Sequence, residues 1–155
     1  MKTGLYKWGD YDFQYNFELI DVFKIVPNGV LCLTSALAYY DLTTYNPWQY
    51  EIAIERSKKV TLADYPPIKL VYFSSKQLEL GIIEVDIDGH TVRIYDLEKT
   101  ICDCVRYRNK IGIDIVKEGI KEYLKRKDKD LNKLMKYAEV CRVQKIIKEY
   151  LEVLI

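Results

Sequence analysis

The sequence is poor in the residues from which metal and catalytic centres are usually built. It has one histidine, His90, and four cysteines among 155 residues. No two cysteines have the C-x₂-C spacing typical of a zinc site, and Cys102 and Cys104 would point apart on a single helix. We therefore expect four reduced, mostly buried thiols, no bound metal, no cofactor and no catalytic residue.

Long apolar runs are also lacking. No segment approaches the roughly 20 apolar residues that a membrane-spanning helix needs, and the first residues contain no apolar stretch of signal-peptide length. These absences predict a cytoplasmic protein that does not enter a membrane. Hydrophobic residues make up 49% and charged residues 30% of the chain, which is typical of one folded globular domain at this length.

The chain as a whole has almost no excess of positive or negative charge, but each of its two parts has one. The formal net charge is +1, which by itself argues against strong attraction to nucleic acid. Residues 1–105 carry 10 basic and 15 acidic side chains, whereas residues 106–155 carry 14 basic and 8 acidic ones. The chain is therefore electrically polar, with a net charge of −5 in the first part and +6 in the second.

The first half changes its hydrophobic period. Residues 1–10 show no period and predict an extended segment that leads into a single domain over 11–155. Two helices are predicted next, over about 17–26 with Asn16 as N-cap, and over about 30–41. Alternating residues then predict strands at 49–55 and 68–73, and a hairpin over 82–95 whose turn is Asp88-Gly89.

The second half has helical periodicity throughout. Asp96 is expected to cap a helix over 97–109, and further helices are expected at about 113–127, after Asp130, and from about Arg142 onward. The sequence predicts an α+β fold: two N-terminal helices, a mostly antiparallel sheet of four or five strands, and a C-terminal group of four helices.

Two carboxylates on the hairpin are the strongest enzyme-like signal. Asp86 and Asp88 form an Asp-x-Asp pair of the kind that holds magnesium in nucleotidyltransferases. The upstream Ser74-Ser75 lacks the glycine that such enzymes use to grip phosphate. The alternative interpretation, which we favour, places Asp86 in solvent and Asp88 in the turn, with His90 as an ordinary surface histidine.

Aromatic residues crowd the N-terminus. They are spaced mostly by two residues: Tyr6, Trp8, Tyr11, Phe13, Tyr15 and Phe17. Such a run can form an interface, since tyrosine and tryptophan supply rigid amphipathic contact area. The alternative is that it covers the domain's own core.

Basic residues in the C-terminal half form the candidate functional surface. Lys117, Lys121 and Lys125 recur at i, i+4 and i+8 on one predicted helix. The full candidate set is Arg106, Arg108, Lys117, Lys121, Lys125 and Lys133. Glu118 and Glu122 can pair with neighbouring cations, so the pattern fits either an ordinary solvated helix face or a patch for an acidic partner or nucleic acid.

Three stretches resemble one family in order and spacing. Residues 29–42 (Gly-Val-Leu-Cys-Leu-Thr-Ser-Ala-Leu-Ala-Tyr-Tyr-Asp-Leu) resemble the apolar "Ser-Ala-Leu … Leu" helix of the AbiEi-type abortive-infection antitoxins. Residues 96–103 (Asp-Leu-Glu-Lys-Thr-Ile-Cys-Asp) resemble their "Glu-Arg-Thr-x-x-Asp" helix start, with Lys99 in place of the usual arginine. Gly4-Leu5-Tyr6 looks like the last strand of the winged-helix wing that precedes this domain in the family.

The resemblance implies an antitoxin domain of a type IV toxin–antitoxin system. In such antitoxins an N-terminal winged helix binds operator DNA, and the C-terminal domain neutralises a nucleotidyltransferase toxin without needing a stable complex. The winged helix is missing from this chain, so we expect a fragment or a naturally short relative, with no DNA binding through that module. The matching motif residues Glu98, Lys99, Thr100 and Asp103 have a mostly structural explanation, because Asp103 can pair with Arg106 and acidic groups suit a helix N-terminus.

Two other functions stay open at this stage. A transcriptional regulator could bind nucleic acid through the basic C-terminal helices, and it would show salt-dependent binding. A degenerate nucleotidyltransferase using Asp86 and Asp88 is the remaining alternative. The lack of a catalytic constellation favours the non-enzymatic antitoxin.

Overall fold

The N-terminal helix is longer than its sequence pattern indicates. The computed structural model describes residues 8–56 and 59–154. Helix α1 spans Trp8–Ile25, so it begins nine residues before the predicted start and includes the end of the segment predicted to be extended. No proline interrupts the chain before Pro27, so nothing in residues 8–16 prevents the helix from continuing through them. The predicted wing strand Gly4-Leu5-Tyr6 lies outside the described residues.

A short strand replaces the start of the second predicted helix. Strand β1 is Val30–Leu31, and helix α2 then spans Leu33–Tyr39. Both strand residues are fully buried between two neighbouring strands. A buried central strand is a short apolar run, which periodicity cannot distinguish from the first turn of a buried helix.

The sheet is mixed rather than mostly antiparallel. The remaining strands are β2 (Tyr50–Glu55), β3 (Ile68–Phe73), β4 (Ile82–Ile87) and β5 (His90–Tyr95), with a short helix α3 (Ser75–Glu79) after β3. The strand order is β3-β2-β1-β5-β4. The β1–β2 and β4–β5 pairs are antiparallel, whereas β2–β3 and β1–β5 are parallel. The parallel pairs join strands separated by longer connections, whereas the Asp88-Gly89 hairpin turn is where the sequence predicts it.

Helices fill the C-terminal part in the predicted order. They are α4 (Leu97–Arg106), α5 (Arg108–Ile111), α6 (Ile113–Leu124), α7 (Leu131–Cys141) and α8 (Gln144–Leu154). Asp96 and Asp130 cap α4 and α7 as predicted, each accepting a hydrogen bond from a backbone N–H three residues later. The predicted helix over 97–109 is divided at Tyr107 into α4 and the single-turn α5.

The core lies on both faces of the sheet. Alternate residues of β2 point to opposite sides: Ile52 and Ile54 pack with α1, and Ala53 packs with the C-terminal helices. The α1 side includes Leu19, Val22 and Phe23. None of the helices within the described residues is both long enough and apolar enough to cross a membrane. The fold is therefore α+β, with the sheet between α1 and a larger helical layer.

Candidate functional site

The first turn of α4 is anchored to the sheet. Asp96 Oδ1 accepts a hydrogen bond from the Lys99 backbone N–H at 2.9 Å, and the Asp96 backbone N–H donates to the Gly81 carbonyl at 2.8 Å. Gly81 has a φ of +82°, and a Cβ there would meet the Lys99 Cβ at 2.7 Å. Glycine is thus required both by the backbone conformation and by the close approach of α4.

Two carboxylates of this turn bind groups of α6 and α7. Asp96 Oδ2 accepts from Tyr137 Oη and from Lys133 Nζ, each at 3.0 Å. Glu98 Oε2 accepts from Tyr123 Oη at 2.6 Å and from the backbone N–H of Asp130 at 3.0 Å. The start of α4 therefore fixes the start of α7 through charged hydrogen bonds, which are stronger than neutral ones.

Burial shapes the acidity of the groups in this contact. Burial raises the pKa of Tyr137 to about 12, and the neighbouring Asp96 carboxylate adds to the rise. The hydrogen bond to Asp96 raises the pKa of Lys133, although partial burial opposes that rise. Asp96 therefore stabilises the protonated forms of both side chains.

A buried ion pair lies one turn further along α4. Lys99 and Asp103 have no exposed side-chain surface, and Lys99 Nζ donates to Asp103 Oδ2 at 2.8 Å. Arg106 Nη2 donates to Asp103 Oδ1 at 3.0 Å, which is the i, i+3 pair predicted from the sequence. The Lys99 ammonium lies 3.8 Å from the centre of the Tyr95 ring, a cation–π contact that compensates part of its lost hydration. Burial raises the pKa of the Asp103 carboxyl, and the charges of Lys99 and Arg106 oppose that rise.

The four residues of the family-like motif are thus buried, and their side chains contact other groups of the same domain. Glu98, Lys99 and Asp103 are buried and paired as described, and Thr100 is fully buried with its hydroxyl donating to the Tyr95 carbonyl at 3.4 Å. None of these side chains is presented to solvent for a ligand. In this structure the motif positions α4 against the sheet, α6 and α7.

The candidate basic residues divide into two groups. Arg106 and Lys133 are engaged by the acidic groups of α4, and Arg108 donates to the Val105 carbonyl at 2.9 Å. Lys117 and Lys121 lie exposed on α6, and Lys125 lies exposed at its C-cap. The structure therefore does not bring all six into one free surface, and the surface that remains is the α6 ridge, defined as Lys117, Lys121 and Lys125.

The two glutamates of α6 have different partners. Glu122 pairs with Lys125 at 3.0 Å, as expected from the sequence. Glu118 instead accepts hydrogen bonds from both Thr43 and Thr44 hydroxyls and from the Thr44 backbone N–H. It anchors the loop after α2 and leaves Lys117 and Lys121 without an ion-pair partner among the described residues.

The enzyme-like residues of the hairpin lie on its exposed surface. Asp86 and His90 are exposed, and Asp88 adopts a φ of +50° in the turn. Within residues 8–56 and 59–154, no three histidine, cysteine, aspartate or glutamate side chains are grouped so that they could hold a metal ion. The four cysteines are free and buried.

Of the aromatic side chains near the N-terminus, the structure describes those of Tyr15 and Phe17. The Tyr15 ring packs on Tyr50, with 6.1 Å between ring centres, so this residue covers the domain's own core. The Phe17 side chain is exposed. The side chains of Tyr6, Trp8, Tyr11 and Phe13 lie outside the described ones.

A cleft beside β3 was missed by sequence reasoning. It is lined by exposed aromatic and basic side chains that come from separate loops, strands and helices, among them Trp48, Lys69 and Lys110. These residues share no period and no motif. The only sequence signal for it is a tryptophan placed directly after Pro47 in a segment without regular structure.

The comparison with known proteins adds no relative. No family model matches the sequence, and no curated protein matches it. The resemblance to the AbiEi-type antitoxins therefore rests on the three stretches of the sequence themselves.

Proposed function

We propose that this chain is the antitoxin domain of a type IV toxin–antitoxin system and counteracts a nucleotidyltransferase toxin in the cytoplasm without catalysing a reaction. The proposal is supported by the three family-like stretches in their expected order. It is also supported by one spatial observation: residues 29–42 and 96–103, far apart in sequence, meet at the centre of the fold.

The contact between these stretches is specific. Leu37 of the first and Ile101 of the second belong to one buried cluster. The Tyr40 hydroxyl donates to the carbonyl of Tyr95, directly before the second stretch, at 2.7 Å. Motifs that build one structural unit together are expected to be retained together in a family, which favours a shared origin over chance similarity.

The functional surface in this proposal is the α6 ridge. Its lysines are exposed and project from a helix whose opposite side is fixed in the core by Val116, Ile120 and Tyr123. A rigid row of cations suits an acidic partner or a phosphate backbone. Operator binding through a winged helix is not proposed for this chain.

Co-expression with the neighbouring toxin gene tests the proposal. Cells carrying the toxin should regain growth when this chain is produced. Absence of rescue by a folded chain at equal abundance would remove the proposal. Abundance is checked by immunoblot and folding by circular dichroism of the purified chain.

Charge reversal tests the surface. The triple variant Lys117→Glu, Lys121→Glu, Lys125→Glu should rescue growth less well while keeping its thermal midpoint. A matched control reverses three exposed lysines of α7 and α8, namely Lys136, Lys145 and Lys148, and should rescue fully. Full rescue by the α6 variant would place the functional surface elsewhere.

A further inference from the structure

The cleft beside β3 has the size of a small-ligand site. It encloses about 500 Å³ between the edge strand β3, the start of α2, the loop before β2 and the α5–α6 region. Pockets for small molecules and single nucleotides fall in this range. Unlike the α6 ridge, it is concave, so a bound group would contact several of its walls at once.

Three aromatic side chains stand exposed in this cleft. Trp48 is 73% exposed, Tyr45 42% and Tyr72 41%. Large aromatic residues are usually covered, and an exposed group of them marks a place where another molecule binds. A flat ring that keeps its face in solvent is suited to stacking on another flat ring, and every nucleobase offers one.

Three cations are also among the residues of this cleft. Arg56, Lys69 and Lys110 line the same cleft, and none of them takes part in an ion pair within the described part of the chain. This differs from Arg106, Arg126 and Lys133, each of which has a carboxylate partner. Lys110 also lies over the Tyr107 ring, 5.8 Å from its centre. Cations without an ion-pair partner beside exposed rings are the combination that binds the phosphates and bases of an unpaired strand.

The one acidic residue that lines the cleft, Glu51, accepts hydrogen bonds from the protein itself. Glu51 Oε1 accepts from the Thr34 backbone N–H at 2.8 Å and from the Thr34 hydroxyl. Glu51 keeps its negative charge, but three cations against this one carboxylate leave the lining with a net charge of +2.

Backbone strain is found at the same place. Leu33, which lines the cleft, is buried and has a φ of +51°. A leucine in the left-handed region is uncommon, and residues held this way concentrate at functional sites. Leu33 lies at the junction of β1 and α2, which forms one wall of the cleft.

We propose that this cleft binds single-stranded nucleic acid, with a base stacked on Trp48 and the adjoining phosphates contacted by Arg56, Lys69 and Lys110. A duplex fits this mode poorly because its bases are stacked on one another, so that only its terminal pairs present a free face. RNA and DNA share the required chemistry. The inference does not depend on the proposed antitoxin function, and it places nucleic acid on a different surface from the α6 ridge.

Fluorescence anisotropy with labelled oligonucleotides of about eight nucleotides tests the proposal. The probes are a single-stranded RNA, the same sequence as single-stranded DNA, and a blunt duplex of that sequence. Either single strand should bind more tightly than the duplex. The single strand that binds more tightly shows whether the cleft prefers RNA or DNA. Three phosphate contacts on a single strand predict about a twentyfold loss of affinity between 50 mM and 200 mM salt.

Two substitutions separate stacking from charge. Trp48→Ala should weaken binding by about tenfold, whereas Trp48→Phe, which retains a ring, should keep most of the affinity. Lys69→Ala with Lys110→Ala should reduce the salt effect to about threefold. As a matched charge control, Lys117→Ala with Lys121→Ala should leave binding unchanged. All these side chains are exposed, so circular dichroism should show each variant folded.

Several results would overturn the inference. These are no binding of either single strand at 50 mM salt, equal affinity for the duplex, or an unaltered affinity of Trp48→Ala. Loss of binding in the Lys117/Lys121 variant alone would assign nucleic acid to the α6 ridge instead. Growth rescue is measured separately, so failure of the antitoxin proposal and failure of this one are distinguishable.

Discussion

Helices α4 and α6 both carry charged residues, and they use them in opposite ways. On α4, Glu98, Lys99 and Asp103 are buried and paired with groups of their own fold. On α6, Lys117 and Lys121 are exposed and have no ion-pair partner among the described residues. The comparison shows that a count of charges does not locate a binding surface. What matters is whether the fold already supplies the counter-charge.

The largest effect on the contrast between α4 and α6 is expected when the carboxylate of Asp103 is removed. Asp103→Ala leaves the buried Lys99 ammonium without its ion-pair partner, and breaking a buried pair from one side typically costs about 3–5 kcal/mol. We expect a loss of that size in the free energy of unfolding, measured by urea denaturation.

A double variant tests whether the loss comes from the unpaired Lys99 charge. Lys99→Met with Asp103→Leu removes both buried charges, and we expect it to be clearly more stable than Asp103→Ala. If Asp103→Ala costs less than about 1 kcal/mol, the view that α4 depends on this pair is wrong.

A smaller effect is expected where α4 meets the sheet. Gly81 and Gly89 have the same φ of +82°, but a Cβ at Gly81 would collide with Lys99, whereas a Cβ at Gly89 would meet nothing within 4 Å. Gly81→Ala should therefore cost about 1–3 kcal/mol more than Gly89→Ala. Because the backbone cost is shared, the difference between the two thermal or urea midpoints measures the collision. Equal losses would show that α4 can shift away from Gly81.

The contact between Asp96 and Tyr137 should show itself in the pH dependence of stability. The pKa of Tyr137 is about 12 in the folded protein against 10.0 for the free side chain. Between these values the folded state holds the proton more tightly, so stability falls as the pH rises from 10 to 12. Lys133, whose folded pKa is also raised, contributes stability below its ordinary pKa that is lost as the pH rises through the folded value.

Tyr137→Phe isolates one part of this decline. It should cost about 1 kcal/mol at pH 7 through the lost hydrogen bond. It should also make the fall in stability between pH 10 and 12 less steep than in the unmodified chain. Urea midpoints measured across this pH range would show the difference, and an unchanged slope would contradict the assigned pKa.

The smallest effect is expected on α6. Lys117→Ala and Lys121→Ala remove exposed charges without internal partners, so each should change the free energy of unfolding by less than about 0.5 kcal/mol. A loss above about 1 kcal/mol would show that these lysines stabilise the fold, contrary to the contrast drawn with α4.

Local signals in the sequence predicted much of the fold. The caps at Asp96 and Asp130, the Asp88-Gly89 turn and the Asp103–Arg106 pair all depend on residues within three positions of one another. The exposed position of Asp86 follows from the alternation of Val85, Asp86 and Ile87 at the end of β4, although Ile83 on the apolar face is itself 40% exposed. Such features are decided by short-range geometry, so they can be derived before any tertiary contact is known.

Features that depend on distant partners could not be derived in this way. Val30–Leu31 is a strand because β2 and β5 lie on either side of it. Lys133 is held by Asp96 from another helix, and Glu118 by a loop that precedes it by more than 70 residues. The cleft around Trp48 likewise combines residues from separate elements, and no period or spacing links them.

The two-residue strand β1 has a consequence for the order in which the chain is assembled. It is the sole bridge in the sheet order between the β2–β3 pair and the β4–β5 pair, and Leu31 lies in register with both Ile52 and Ile94. During synthesis the β2 side of this bridge is available early, but the other side waits until residues 90–95 have been made. Until then, the edge of β1 that faces β5 has no partner strand. Strand β5 leads through Asp96 directly into α4, so the last strand of the sheet and the helix packed on it come from consecutive residues.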